Sequence, residues 1–424
     1  MNENFKNEFP LSLNQIKILN SIDPDVNLDD LKELRDIIGD SRIVAIGEGS
    51  HFMHEFWKIR QRLLRFLREE CGFTIFLMEF GFAEGFKLSP WINGEGTDDD
   101  IISISPAATN WGAGEALFWL RQYNKSHTEG IKFFGIDIPE GGGSLMPALI
   151  EVRNYLKKVD PDIDPIIQKA IEISKQFDSL SAAKSAPMWS KMSPDIQDKL
   201  TALLTRISYR FHSAEPFYVK QSSQYEYDKA LHQLYAATHS EYMLRVMNDL
   251  NTGSFLPADM SSRERFMADS VIWHLKNLKP ESRIVVAAHN NHIQRTTVNY
   301  GGFITAIPMG KFLADYFGKE YCPIGITTTD NHTAEMELDE NTKVGFIVKD
   351  IMLDPPPVGS FEEALMKSGF GDKITLTDLF NSNEGISKIN CIRSQSSYVT
   401  TNIKDAFDGI ISIPKVTMIK ELGF

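Results

Sequence analysis

Four short apolar runs divide the chain, and each of them stops at an ionisable side chain. Continuous apolar runs of this length are typical of strands that are buried on both faces, as in a parallel sheet. In open parallel sheets, ligands bind where the strands end. The sequence therefore predicts one cleft that gathers carboxylates and imidazoles. The runs are residues 42–47, 73–78, 131–136 and 283–288, and they stop at Glu48, Glu79, Asp137 and His289.

The segment after the first run predicts an amphipathic helix. Its apolar residues recur every three or four positions, which puts them on one helix face. Gly72 then supplies the C-cap that ends such a helix. Strands that alternate with helices in this way predict an α/β fold with a mainly parallel central sheet flanked by helices. The apolar positions of the helix are Phe56, Ile59, Leu63, Phe66 and Leu67.

The pattern changes in the middle of the chain, where strand-like runs disappear and long helical stretches replace them. This change predicts that residues 1–140 form the N-terminal part of an α/β core, 141–279 a large helical insertion, and 280–424 the C-terminal part of the core. The insertion separates two strands whose ends carry polar groups, so we expect it to form a wall or a lid of the cleft. The alternative is that its helices only cover one face of the sheet. The predicted helices span 165–177, 196–211, 221–250, 262–278 and 311–317, and further strands span 303–307 and 323–327.

Composition and charge exclude several classes of partner. Apolar residues make up 42% and charged residues 24% of the chain, as in an ordinary globular protein. The formal net charge is −13 and no dense lysine or arginine run occurs, which argues against a nucleic-acid or membrane partner. Three widely spaced cysteines argue against a disulfide framework. Residues 1–6 contain no apolar signal region, and no run reaches about 18 apolar residues, so we expect a cytoplasmic protein.

Glu48 and His51 share a glycine-flanked turn and give the sharpest chemical signal. The glycines allow the backbone to bend tightly after a buried strand. Histidine titrates near neutral pH, so it can remove a proton from water if a carboxylate orients it. The alternative is an ordinary polar turn between a strand and a helix.

Four further residues extend this candidate site. Glu79 follows six largely apolar residues, so it either binds a structural arginine or belongs to the site. His289 and His292 are three residues apart at a strand end and can face the same cleft. Arg60 could neutralise a carboxylate or stabilise an oxyanion. Two carboxylates and three histidines could also hold zinc or iron, although the His-Glu-x-x-His spacing of metalloproteases does not occur.

Several motifs, in the same order along nearly the whole chain, resemble those of the erythromycin esterases. They include Gly-Glu-Gly-Ser-His at 47–51, Met-Glu-Phe-Gly-Phe-Ala-Glu-Gly at 78–85, Gly-Ile-Asp-Ile-Pro at 135–139, Ala-His-Asn-Asn-His-Ile-Gln at 288–294 and Ala-Phe-Asp-Gly-Ile at 406–410. The resemblance implies hydrolysis of the macrolactone ester of 14-membered macrolides such as erythromycin, which confers resistance. It also implies that neither a metal nor another cofactor is required.

The resemblance further implies a role for each candidate residue. His51 is the general base that activates water, and Glu48 and Glu79 orient and tune it. His289 and His292 assist positioning and proton handling, and Arg60 supports the carboxylates or the developing charge. The expected partner is a small-molecule macrolide, and the oligomeric state stays open. A metal-dependent hydrolase on the same scaffold and a binding protein that sequesters macrolides are the alternatives.

Overall fold

A computed structural model describes residues 11, 15–106, 111–254, 256–300, 304–380, 386–420 and 422. The strands are β1 (Ile16–Ile18), β2 (Ile43–Ile46), β3 (Ile75–Gly81), β4 (Lys132–Asp137), β5 (Ile284–Ala287), β6 (Val298–Tyr300), β7 (Ile304–Ala306), β8 (Tyr321–Thr328), β9 (His332–Leu338), β10 (Phe346–Met352), β11 (Thr375–Asp378), β12 (Cys391–Ser394), β13 (Ser397–Thr400) and β14 (Gly409–Ile413). The helices are α1 (Leu34–Ile38), α2 (His54–Cys71), α3 (Phe82–Ile92), α4 (Ile101–Ile104), α5 (Gly114–Ser126), α6 (Met146–Val159), α7 (Asp164–Ser174), α8 (Ala182–Ser190), α9 (Pro194–Gln221), α10 (Gln224–Thr252), α11 (Ser261–Lys276), α12 (Asn290–Ile293), α13 (Met309–Phe317), α14 (Phe361–Lys367) and α15 (Ile403–Ala406).

The described residues form two compact units. Unit 1 combines those within 1–73, 283–335 and 349–420, and unit 2 combines those within 74–282, 336–348 and 421–424. The division of the chain into three parts at residues 140 and 279 stays a prediction.

Unit 1 contains six strands of the central sheet, in the order β1, β11, β14, β8, β2 and β5. β14, β8, β2 and β5 run parallel to one another, and β1 and β11 are antiparallel to their neighbours. Every residue of β2, β5 and β8 is buried, as the continuous apolar runs predict. The predicted fold class, α/β with a mainly parallel sheet and flanking helices, is confirmed.

Helix α2 follows the turn that carries Glu48 and His51. Its predicted apolar face is confirmed, because the five apolar positions at 56, 59, 63, 66 and 67 are at most 1% exposed. Gly72 ends the helix with a φ of 73°, a left-handed conformation that favours glycine. Arg60 follows Ile59 on the same side of the helix, and it is buried as well.

Unit 2 contains the parallel pair β3 and β4 and most of the long helices. Helices α6, α7, α9 and α10 share one apolar core, which includes Leu149, Ile167, Leu204 and Leu234. Between residues 141 and 279, the described part of the chain is helical and contains no strand, as predicted, although α6 and α8 are helices that the pattern did not separate. Strand β3 runs on to Gly81, so the prediction that it stops at Glu79 is wrong. A register shift between Met78 and Gly81 makes room for this glutamate in the pairing with β4.

Two buried histidines of unit 2 are held neutral. His232 Nε2 lies 2.8 Å from Ser270 Oγ, and His274 Nε2 lies 3.2 Å from the carbonyl oxygen of Gly135. Burial lowers the pKa of His232 to about 3 and the pKa of His274 to about 4. The unfolded chain therefore binds more protons than the folded chain between about pH 6.5 and these values. Stability contributed by the two rings is present above pH 6.5 and is lost as the pH falls.

The remaining sequence predictions on local structure have mixed outcomes. The strand predicted at 323–327 and the helix predicted at 311–317 correspond to β8 and α13. Of the strand predicted at 303–307, residues 304–306 form β7, and Phe303 lies outside the described residues. Residues 1–6 also lie outside them. Among the helices that the structure describes, none is both long and apolar enough to cross a membrane.

Candidate active site

Two neighbouring parallel strands of unit 1 carry the predicted histidine turns. β2 and β5 pair with Ile46 opposite Ala287, so both strands end at the same edge of the sheet. Glu48 and His289 each lie two residues beyond the end of their strand. The backbone N–H of Asn290 donates to the carbonyl oxygen of Glu48 at 2.8 Å, which ties the two turns together. The sheet therefore brings together two polar segments that are distant in sequence.

A buried arginine, a buried glutamate and the imidazole of His51 form one continuous polar relay. Glu48 Oε1 lies 2.7 Å from His51 Nδ1, and Arg60 Nη1 lies 2.9 Å from Glu48 Oε2. Glu48 and Arg60 are each 4% exposed, whereas the His51 side chain is 23% exposed. The relay therefore runs from the interior of unit 1 to an imidazole that solvent reaches.

Arg60 is fixed by carbonyl oxygens at the ends of both strands. Its Nε donates to Gly47 O at 2.9 Å, and its Nη2 donates to Ala288 O at 2.6 Å. A permanently charged guanidinium supplies the counter-charge that a buried carboxylate requires. Of the two roles expected for Arg60, this geometry favours support of the Glu48 carboxylate.

The contact with Glu48 determines which nitrogen of His51 can act as a base. Because a carboxylate only accepts hydrogen bonds, the neutral ring carries its proton on Nδ1 and its lone pair on Nε2. The same carboxylate stabilises the imidazolium that forms when Nε2 takes up a proton. The pair thus has the parts of a general base.

Two more imidazoles follow strand β5 in the second turn. The ring centroid of His289 lies 5.0 Å from that of His51 and 6.3 Å from that of His292. The backbone N–H of Asn291 donates to His289 Nδ1 at 3.1 Å, so the neutral His289 ring carries its proton on Nε2. The Nε2–H of His289 can therefore donate a hydrogen bond close to the His51 ring.

Glu79 belongs to unit 2, where an arginine holds it together with Asp137. Arg263 Nη2 donates to Glu79 Oε1 at 2.8 Å and to Asp137 Oδ2 at 2.6 Å. Arg263 Nε donates to Asp137 Oδ1 at 2.9 Å. The arginine partner considered for Glu79 in the sequence thus exists, and Glu79 shares it with Asp137. Burial alone would lower the pKa of Arg263, but the charges of Asp137 and Glu79 outweigh it and raise the pKa.

A second pair of carboxyl groups in unit 2 was not singled out by the sequence analysis. The backbone N–H of Glu140 donates to Glu84 Oε1 at 2.9 Å, which joins the start of α3 to the turn after β4. Burial raises the pKa of Glu84 to about 7 and the pKa of Glu140 to about 8, and their mutual repulsion contributes to the shift at Glu140. Glu84 and Glu140 each lie three residues beyond the end of the strand that carries Glu79 or Asp137.

Two amide side chains of unit 1 hold the histidine turns and were also missed. Asn290 is fully buried, and its amide bonds to both backbone groups of Ile326, at 2.8 and 3.1 Å. Gln395 Oε1 accepts the backbone N–H of His51 at 2.6 Å. The position of Asn290 between two candidate histidines was an available signal. Gln395 had none, because it lies in the part of the chain whose pattern is hardest to interpret.

The carboxylates and imidazoles of the structure can be compared with what a metal site would require. Among the described residues, no group of three or more histidine, cysteine, aspartate or glutamate side chains is arranged to hold a metal ion. Glu48 has an arginine on one oxygen and an imidazole on the other. A divalent cation at this carboxylate would meet the positive charge of Arg60.

A carboxylate-held imidazole at the carboxyl ends of parallel strands is typical of hydrolases that use a general base. The sequence model of the family described as erythromycin esterase matches residues 68–416 of the chain. The chain belongs to this family, as the motifs predict, and it is an esterase.

Individual relatives cover almost the whole chain. Erythromycin esterase type II of Escherichia coli is 39% identical over 394 residues, which cover 92% of this chain and 94% of that protein. Erythromycin esterase type I of Escherichia coli is 28% identical over 395 residues, with the same coverage. Among solved structures, a histidine-to-asparagine mutant of the erythromycin esterase EreC in its open conformation matches with a TM-score of 0.90 and 26% identity, over 96% of this chain and 100% of that chain.

Proposed function

We propose that this esterase hydrolyses the macrolactone ester of 14-membered macrolides such as erythromycin, and that it makes the cell that produces it resistant. Membership of the erythromycin esterase family and the identity of 39% to the type II enzyme support the substrate class. The Arg60–Glu48–His51 relay is the observation that carries the mechanism. We further propose that the reaction takes place in the cytoplasm and needs no metal.

In the proposed mechanism, His51 activates the attacking water. Nε2 of the neutral ring accepts a proton from water while the water oxygen attacks the lactone carbonyl carbon. Glu48 stabilises the imidazolium that results, and Arg60 keeps Glu48 in position. General-base catalysis of this kind contributes about 10²–10⁴-fold to the rate.

The tetrahedral intermediate carries a negative oxygen that needs a hydrogen-bond donor. His289 Nε2–H is the candidate that its tautomer favours, and His292 is the second candidate. When the intermediate collapses, the C–O bond of the lactone breaks and the leaving alkoxide takes the proton from His51. The product is a linear hydroxy acid, and the enzyme returns to its starting state.

We also propose that Glu79 helps to orient and tune His51, as the resemblance implies. The family pattern at 78–85 supports this role. Arg263 and Asp137 fix the orientation of its side chain. We expect Glu79→Gln to lower kcat strongly, and a wild-type kcat in this variant would leave Glu79 with a structural role alone.

Mass spectrometry of erythromycin after incubation with the protein tests the proposal. We expect a product that is heavier by one water, no such product with His51→Ala, and the normal product with His127→Ala as a control at an exposed histidine. Unchanged erythromycin that co-purifies with the wild-type protein would instead support a sequestering protein. An active His51→Ala enzyme would refute the assigned base.

A further inference from the structure

The turn that carries His51 contains an unfavourable backbone conformation. Phe52, the next residue, has a φ of 62°, which lies in the left-handed region that residues with a Cβ rarely occupy. Its side chain is a bulky ring and is 1% exposed. A turn of this kind persists only when surrounding contacts fix it.

Those contacts include a hairpin from the C-terminal part of unit 1. β12 and β13 pair antiparallel and are joined by Gln395 and Ser396. The backbone N–H of Gln395 donates to Gly49 O at 2.7 Å. Its side chain continues the contact, since Oε1 accepts the N–H of His51 at 2.6 Å and Nε2 donates to Ala334 O at 3.3 Å.

The hairpin also reaches the second histidine turn. Asn291 Nδ2 donates to Ser394 Oγ at 2.8 Å, and the backbone N–H of Asn291 in turn donates to His289 Nδ1. One hairpin therefore holds the backbone of His51 and the residue that fixes the His289 tautomer. Neither contact restrains the imidazole of His51 directly, so the hairpin acts on the ring through the backbone that carries it.

Gln395 itself has a φ of 53°. Glycine or asparagine would adopt this conformation more readily than glutamine does. A glutamine side chain, however, is long enough to reach the His51 N–H and carries both an acceptor and a donor. At the position that contacts His51, the chain thus carries a residue that adopts the left-handed backbone conformation less readily than glycine or asparagine would.

We propose that Gln395 is a positioning residue, which sets the place of the His51 imidazole by holding the His51 N–H and the Gly49 carbonyl. This inference rests on the proposed function, because it assigns His51 the role of base. It adds a residue that acts through the backbone of His51.

Two substitutions separate positioning from stability. Of the two variants, we expect one to be the more stable and the other to be the more active. Gln395→Asn relaxes the left-handed backbone but is one methylene too short to reach His51. Gln395→Glu keeps the length and an acceptor for the His51 N–H, but it keeps the backbone strain and sets a carboxylate against the carbonyl oxygen of Ala334. We expect Gln395→Asn to be at least as stable to urea as Gln395→Glu.

Activity is expected to follow the opposite order. On the pH-independent plateau of erythromycin hydrolysis, we expect Gln395→Asn to lower kcat by about 10–100-fold, the scale of a slightly misplaced catalytic group, with little change in KM. We expect Gln395→Glu to stay within several-fold of wild type. Its negative charge near His51 should also move the acidic limb of the pH profile upwards. Ser396→Ala is the matched control in the same turn, since its side chain is exposed and it should leave both properties unchanged.

An NMR measurement without substrate separates this inference from the proposed function. The ring C–H signals of His51, assigned by their loss in His51→Asn, should move in Gln395→Asn and stay near their wild-type positions in Ser396→Ala. If wild type fails to hydrolyse erythromycin but these signals move, the substrate is wrong and the positioning role stands. If the signals of Gln395→Asn match wild type, or if its kcat exceeds that of Gln395→Glu, Gln395 does not position His51.

Discussion

A single methyl group at Gly47 should disturb both the stability of unit 1 and its candidate active site. A Cβ at this position would lie 1.9 Å from Asn290 Oδ1 and 3.1 Å from Ile293 Cδ1. The Asn290 amide cannot move aside at low cost, because it is fully buried and bonds to both backbone groups of Ile326. Gly47→Ala should therefore displace the amide and break both hydrogen bonds.

The magnitude follows from these contacts. Overpacking of a well-packed interior costs about 1–3 kcal/mol. Leaving buried backbone groups of Ile326 without partners costs about 1–3 kcal/mol more. We expect urea unfolding of Gly47→Ala to show that the free energy of unfolding falls by about 2–6 kcal/mol. Because Asn290 N–H also holds Glu48 O, we expect kcat to fall as well, by about 100-fold.

A double-mutant cycle with Asn290→Ala tests the reasoning. When the amide is absent, the added methyl has room, so Gly47→Ala should cost less than about 1 kcal/mol and the interaction energy should reach about 2 kcal/mol. Gly325→Ala, on the neighbouring strand β8, is the control, because its Cβ would meet the Phe407 ring at an ordinary 3.4 Å. Additive costs in the cycle, or a Gly47→Ala protein as stable as wild type, would refute the steric argument.

Four further outcomes follow from the structure. Glu48→Gln should lower kcat about 10²–10⁴-fold with little change in KM, because an amide neither fixes the tautomer nor stabilises the imidazolium, and a small effect would remove Glu48 from the relay. Arg263→Leu should lower the free energy of unfolding by about 2–4 kcal/mol in urea titrations, since it leaves Glu79 and Asp137 without their shared cation, and Arg263→Lys should recover part of the loss. The free energy of unfolding of His232→Gln, relative to that of wild type, should be about 2 kcal/mol higher at pH 5 than at pH 7. The reason is that burial lowers the pKa of the wild-type ring to about 3, so the wild-type protein loses stability as the pH falls below 6.5. An equal difference at both pH values would contradict the buried neutral ring. Exhaustive dialysis against a chelator should leave hydrolysis intact, whereas a loss that added zinc restores would favour the metal-dependent alternative.

Strands β2 and β5 and the residues that follow them could be predicted from the sequence. Apolar runs at 42–47 and 283–288 identify buried strands, and the parallel arrangement puts the residues that follow them at one edge. That logic predicts that Glu48 and His289 meet, which is how β2 and β5 arrange them. The spacing of Glu48 and His51 inside one glycine-flanked turn likewise predicts their contact.

The side chains that hold these residues in place could not be predicted from the sequence. Glu79 required a cation by a simple argument about buried charge, but nothing in the pattern distinguishes Arg263 from the other arginines. Gln395 meets His51 across 344 residues of chain, and a single glutamine after an ordinary strand has no periodicity that indicates a contact. Local pattern reports which face of an element is buried, whereas the identity of a side-chain partner depends on tertiary packing.

The two histidine turns are fixed from two sides, and these supports should fail in different ways. On the sheet side, Asn290 joins Glu48 to β8 through fully buried hydrogen bonds, so its loss should reduce stability and activity together. On the other side, the β12–β13 hairpin reaches His51 through the partly buried Gln395, whose own backbone is strained. Gln395→Asn releases strain as it removes the contact, so activity should fall while stability is largely kept. The ratio of the loss in kcat to the loss in free energy of unfolding, compared between Asn290→Ala and Gln395→Asn, therefore separates two kinds of residue: those that stabilise the sheet edge and those that position the proposed base. A common ratio for both variants would mean that the turn responds to the stability of unit 1 as a whole.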